Sequence, residues 1–206
     1  MTGLSQTTGI SRRPAAAARR NNRKLALMKA AAECFVANGF AASTMREIAA
    51  RAGMQPGSIY YHFPSKKDLL AAVHEEGLRM ITGATRAALS RVGATASPWA
   101  RLEAAAAAHM EMLLEGGVFF QALMRELPPP GSPHHAEVTA RRDAYEAIFS
   151  NLLGALELPA GTDLRTLRLM LLGAMNWAHS WYRPGGDRPA DIAAKFIRNL
   201  REGLEG

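Results

Sequence analysis

Between Ser43 and Lys66 the chain reads STMREIAARAGMQPGSIYYHFPSK, and this stretch concentrates side chains that can hold a polyanion. Gln55, Ser58, Tyr60, Tyr61 and His62, flanked by Arg46, Lys66 and Lys67, offer the amide, hydroxyl, imidazole and cationic groups that phosphate oxygens and base edges require. A competing reading makes the aromatic run a core segment. Ile48, Ile59 and Phe63 fit it, whereas Arg46, Tyr61, His62 and Lys66 carry polar ends for which packing has no use.

Such groups need a rigid support. Ser43 and Thr44 precede a short helical pattern with Met45, Ile48 and Ala49 inward, Gly53 stops it, and a second short helix follows near Pro56–His62. Two short helices around a turn form the helix-turn-helix pattern, which cannot stand alone. The helix before it, expected to begin after Asn21 and Asn22 and to carry Leu25, Met28, Ala32 and Phe35 inward until Gly39, must complete the core. So must the long helix that Ser65 caps, with Asp68 three residues on, and that runs to about Val92 past Gly77 and Gly83.

The rest also reads as helix, because apolar residues recur at three and four. Further helices are expected from Ser97-Pro98 to about Glu115, from Val118 to Leu127, from Ser132-Pro133 to about Glu157, from Thr162 to Arg183, and from Pro189 to about Leu204. The expected fold is all-α with about nine helices. A disordered basic arm over 1–20 is expected to precede a three-helix DNA-binding domain over 21–68, and a helical ligand-binding and dimerisation bundle to fill 69–206.

Charge follows the same division. The 206 residues carry a formal net charge of +7, yet 1–68 hold 11 basic against 3 acidic residues while 69–206 hold 14 against 15. The surplus sits where the candidate reading surface lies, which suits nucleic acid or an anionic membrane surface. Arg12, Arg13, Arg19 and Arg20 fall in the arm, and two roles stay open for it: contact with flanking DNA, or a solubilising tail.

The segment resembles the N-terminal DNA-binding domain of the TetR family of transcriptional regulators. Thr44, Arg46, Ile48-Ala49, Ala52-Gly53, Pro56 to Phe63 and Ser65 to Leu70 carry the likeness, over about residues 23–70. The resemblance implies a DNA-binding set of Thr44, Arg46, Gln55, Pro56, Gly57, Ser58, Tyr60, Tyr61, His62 and Lys66. Within it Thr44, Tyr60, Tyr61, His62 and Lys66 would hold phosphates, and Arg46, Gln55, Gly57 and Ser58 would approach base edges. The fork of Arg suits guanine, the amide of Gln suits adenine, and Gly57 lets the helix come close to the groove. A homodimer on a palindromic operator, released by a small-molecule effector, is the implied mode of action, with the last two helices pairing across the dimer.

The remainder is nearly neutral and rich in Met, Leu and Ala, as a bundle with a cavity would be. The run Asn176-Trp177-Ala178-His179-Ser180-Trp181-Tyr182-Arg183-Pro184-Gly185-Gly186 is similar to one in TetR regulators of fatty-acid, steroid and aromatic-acid catabolism, several of which sense acyl-coenzyme A thioesters. The residues expected at such a ligand are His109, Met112, Phe120, Met124, Arg125, Tyr145, Trp177 and Trp181, with Arg125, Arg141, Arg142 and Arg183 available to its phosphates.

Other chemistries lack their residues. One cysteine, Cys34, allows no disulfide framework and fits a reducing cytoplasm. His134-His135 would point apart on a helix, and no G-x-S-x-G, P-loop or HExxH pattern occurs, so neither metal, cofactor nor catalysis is expected. The most apolar stretch, 167–181, is short for a membrane span and interrupted by Arg168, Asn176 and His179. Lys29, Glu33 and Asn38 break any leader-like apolar region near the N-terminus, and the expected location is the cytoplasm. Two rivals remain: a ligand-binding helical protein or enzyme without DNA binding, and a membrane-surface protein using its basic arm.

Overall fold

The computed structural model describes residues 13–125 and 130–205, and among them it contains nine α-helices and no strand. In chain order these are α1 (Arg13–Ala42), α2 (Met45–Arg51), α3 (Pro56–His62), α4 (Lys66–Val92), α5 (Pro98–Glu115), α6 (Val118–Arg125), α7 (Pro133–Gly154), α8 (Leu164–Trp177) and α9 (Pro189–Glu205). A 3₁₀ turn over Ala178–Ser180 extends α8. The all-α expectation holds, as do the capping serines Ser65, Ser97 and Ser132, whose hydroxyls accept from the amides of Asp68, Ala100 and His135.

Three local expectations are corrected. Helix α1 does not wait for Asn21-Asn22 but is already formed at Arg13. Ala15–Ala18, Arg19 and Arg20 are strong helix formers, and extending a helix costs far less than nucleating one, so two mediocre Asn residues do not stop it. Residues 1–12 of the expected arm lie outside the described residues. Leu25 is exposed, and the inner face is instead led by Leu27, with Met28, Ala31, Ala32, Cys34 and Phe35. The third concerns α8, which Asp163 caps through its carboxylate and the Arg165 amide at 2.9 Å, while the Thr162 hydroxyl turns back to the Pro159 carbonyl.

Two apolar cores organise the molecule. The first joins α1, α2, α3 and the start of α4 around Phe35, Ile48, Ile59, Leu69 and Val73. The second joins α5, α7, α8 and α9 around Leu102, Met110, Phe120, Phe149 and Met175. Helix α4 runs unbroken through both, giving Leu69, Leu70 and Val73 to the first and Ile81 to the second. At Gly77, α4 passes close to the backbone of α6, with the Phe119 carbonyl 3.5 Å from where a Cβ would stand. Helix α6 is shared in the same way: neighbouring Phe119 and Phe120 point into different cores.

The helix nearest to a membrane span is not the expected 167–181 stretch. Arg19–Ala42 is long and apolar enough by composition. Its apolar side, however, is the wall of the first core, which a helix lying in lipid could not supply.

Candidate DNA-reading surface and effector cavity

Helix α2 begins with a complete capping box. The Thr44 hydroxyl accepts from the Glu47 amide at 3.2 Å, and the Glu47 carboxylate accepts from the Thr44 amide at 3.0 Å and from the Thr44 hydroxyl at 2.9 Å. The turn to α3 needs Gly53, whose φ of +67° other residues adopt at a cost. Pro56 then opens α3, which buries Ile59 alone.

The remaining surface of α3 faces water. Gln55, Pro56, Gly57 and Ser58 are exposed, Tyr60 is 57% and Tyr61 79% exposed, and Arg46 of α2 is exposed as well. His62 is half-buried and meets the Tyr61 ring edge-on at 5.5 Å. A Cβ added at Gly57 would have no atom within 4 Å, so nothing inside the protein calls for glycine there. Two large exposed rings beside a glycine without a packing reason form a surface suited to close contact with a partner.

Two members of the expected set have other work. Lys66 directs its ammonium into the protein, donating to the carbonyls of Phe40 at 2.5 Å, Ser43 at 2.7 Å and Ala41 at 3.1 Å. All three N–H donors are thereby used, and they satisfy the open carbonyls where α1 ends. Lys66 thus staples the head together, its ammonium hydrogens committed to these carbonyls. The Thr44 hydroxyl is likewise held in its cap, its hydrogen on Glu47.

In the second core a cavity of about 380 Å³ opens between α4, α6, α7 and α8. Leu78, Ile81, Leu123, Val138 and Leu172 give it apolar walls, while Arg125 and Arg142 stand at its exposed side. Met124, Arg125 and Tyr145 of the expected ligand set line it. Phe120 is core, and Met112 packs against that core without lining the cavity. Trp177, the last residue of α8, and Trp181, beyond the 3₁₀ turn, are surface residues and do not line the cavity. Trp181 rests against Phe196 with ring centroids 6.4 Å apart.

His109 is buried behind the cavity wall. Its Nδ1 lies 2.8 Å from the Tyr145 hydroxyl and its Nε2 3.1 Å from Asn176 Oδ1, and Tyr145 in turn meets the Thr85 hydroxyl at 3.3 Å. Burial pushes the imidazole pKa from 6.5 down to about 4, against the smaller opposing pull of the Asn176 bond. Burial also raises the Tyr145 phenol well above its ordinary value. The cluster is neutral. Asn176 was legible only as part of a helix-ending run, and nothing in the spacing pointed to its place on the cavity wall.

Of the other expected cations, Arg141 pairs with Glu75 of α4 at 2.9 Å, and Arg183 is exposed beyond the 3₁₀ turn. His134 binds Asp68 at 3.0 Å, joining the start of α7 to the start of α4. Arg125 reaches from the end of α6 to the Val36 carbonyl of α1. The cavity helices are thereby tied to the head at several points. Cys34 is buried with a raised pKa, caused first by burial, so its thiol stays protonated and inert.

Known proteins show the same architecture. The description "Bacterial regulatory proteins, tetR family" matches residues 27–73, and "Tetracyclin repressor-like, C-terminal domain" matches residues 95–204. The HTH-type transcriptional repressor KstR2 of Mycobacterium tuberculosis is 26% identical over 179 residues, covering 87% of this chain and 78% of that protein. The HTH-type transcriptional activator FasR of Mycolicibacterium smegmatis is 28% identical over 188 residues, covering 87% and 83%. The structure of AibR in complex with isovaleryl coenzyme A and operator DNA superposes with a TM-score of 0.73 at 24% identity, over 85% of this chain and 96% of that one. With the C-terminal description alone spanning more than half of its length, the chain belongs to the TetR family of DNA-binding transcriptional regulators and not to a family of enzymes.

Proposed function

We propose that the protein is a homodimeric repressor that reads a palindromic operator through α3 and releases it when an acyl-coenzyme A thioester enters the α4–α8 cavity. The observation that carries the reading is the surface of α3. Tyr60, Tyr61, Gly57, Ser58 and Gln55 are exposed together on or at the start of a helix that buries one residue, and Arg46 of α2 is exposed too. Phosphates would be held by Tyr60, Tyr61 and His62, and base edges by Arg46, Gln55 and Ser58.

The effector half has its own support. An apolar cavity with guanidinium groups at the exposed side suits a molecule with an acyl end and an anionic remainder, and AibR is named as a complex with such a thioester. For the dimer, α8 and α9 leave Leu169, Met170 and Trp177 exposed around an apolar groove lined by Leu167, Leu171, Phe196, Leu200 and Leu204. A second copy covering that face would place two recognition helices on one side of the assembly, as two half-sites require. KstR2 is named a repressor and FasR an activator, so the sign of regulation is a choice between the two. The ties between cavity helices and head support a coupling through which an effector changes DNA affinity.

Footprinting the purified protein on DNA flanking its own gene tests the reading. A protected two-fold-symmetric site that disappears on adding an acyl-coenzyme A supports it. Absence of any preferred site would refute it.

A further inference from the structure

Thr85 of α4, Tyr145 of α7, His109 of α5 and Asn176 of α8 form one chain of hydrogen bonds through the second core. Its direction can be worked out from its end. Asn176 presents Oδ1 to His109, and an amide oxygen only accepts, so the imidazole hydrogen is on Nε2. Nδ1 then holds a lone pair, and the Tyr145 hydroxyl must donate to it at 2.8 Å. With that hydrogen spent, the Tyr145 oxygen accepts from the Thr85 hydroxyl at 3.3 Å.

Every link donates toward Asn176. The amide nitrogen Nδ2 is left over with two N–H donors, and among the described residues no acceptor is bonded to them. Asn176 is half-buried and lines the cavity next to Leu172, Ile81 and Val138. Of the other polar groups in the lining that are not fully exposed, Tyr145 has no hydrogen to offer, and the Glu146 carboxylate only accepts and is paired with Arg142 and Arg168. Arg125 and Arg142 belong to the exposed side.

We propose that Asn176 is the polar anchor of the effector, its Nδ2 donating to a carbonyl oxygen inside the cavity, with His109 as the positioning residue that fixes the amide's orientation. The proposal rests on the reading of this cavity as the effector site. It adds a rule for selection: a ligand must present a hydrogen-bond acceptor part-way along an apolar body. At about 380 Å³ the cavity is near the lower end of the roughly 300–1,000 Å³ common for small-molecule sites, so it seats a short acyl group with its carbonyl and leaves a nucleotide outside. A ligand without the acceptor would strip water from the amide and return nothing.

The test compares hexanoyl-coenzyme A with its thioether S-hexyl-coenzyme A, which lacks only the carbonyl oxygen, by calorimetry on the full chain. The thioester should bind at least tenfold more tightly. Asn176→Leu should erase the difference by weakening the thioester alone. Equal binding of the two by the unmodified protein, or equal loss of both in Asn176→Leu, overturns the anchor. A ligand-free measurement guards against a variant that fails to fold: nitrogen NMR of the unmodified protein should show His109 in the Nε2–H form, and the Nδ1–H form would reverse the chain and overturn the proposal. Should neither thioester nor thioether bind, the acyl-coenzyme A reading fails. The anchor is then judged with 2-octanone, which must shift the Asn176 side-chain NH₂ signals; unmoved signals overturn it.

Discussion

Lys66 and Phe40 are joined twice: the ammonium lies 4.5 Å from the centre of the phenyl ring and donates to the carbonyl of the same residue at 2.5 Å. With Ala41 and Ser43 accepting its other hydrogens, the first turn of α4 closes the last turn of α1. A single hydrogen bond to a charged group is worth about 1.5–3 kcal/mol. Lys66→Met should therefore lower unfolding stability by roughly that amount in urea titration. Operator affinity should drop with no change in its salt dependence. A salt slope shallower by about one phosphate contact, with stability intact, would return Lys66 to the phosphate role expected from sequence.

The pH response should report on His109. Its pKa is about 4 in the folded protein, lowered first by burial, against 6.5 in the open chain. Between those values the unfolded chain binds more protons, so stability is complete above pH 6.5 and falls as the solution is acidified. At pH 5 the loss should be about 2 kcal/mol. His109→Gln should flatten the urea midpoint against pH between 7 and 5, and a slope equal to that of the unmodified protein would contradict the assignment.

The exposed face of α8 makes a prediction about assembly. Met170 is 62% and Trp177 66% exposed, beside an apolar groove. Met170→Glu should give monomers by light scattering at low micromolar concentration, keep the helical signal in circular dichroism, and lose cooperative binding to a two-half-site operator. A dimer that persists would move the interface elsewhere.

Much of this arrangement was legible in the residues, and the failures share a cause. Helix existence, the serine caps and the exposed face of α3 depend on neighbours within one turn, so spacing reveals them. The stapling role of Lys66 was not legible because its partners lie 23 to 26 positions earlier, where no local pattern reaches. Trp177 and Trp181 were expected at the ligand from the likeness of their run to a family motif, yet both lie at the surface, and the 3₁₀ turn at Ala178 takes Trp181 out of the α-helical register. Asn176 and Tyr145 meet through His109, across three helices far apart in sequence, a convergence that only the packed bundle creates.

The central claim is that α3 is shaped for DNA and not for its own fold, and Gly57→Ala tests it most directly. No atom stands within 4 Å of the added methyl, and alanine is favoured over glycine in a helix by up to about 1 kcal/mol, so the melting temperature should hold or rise. Operator affinity, followed by fluorescence anisotropy, should fall at least tenfold because the methyl keeps the helix from the groove. Unchanged affinity at unchanged stability would contradict the account.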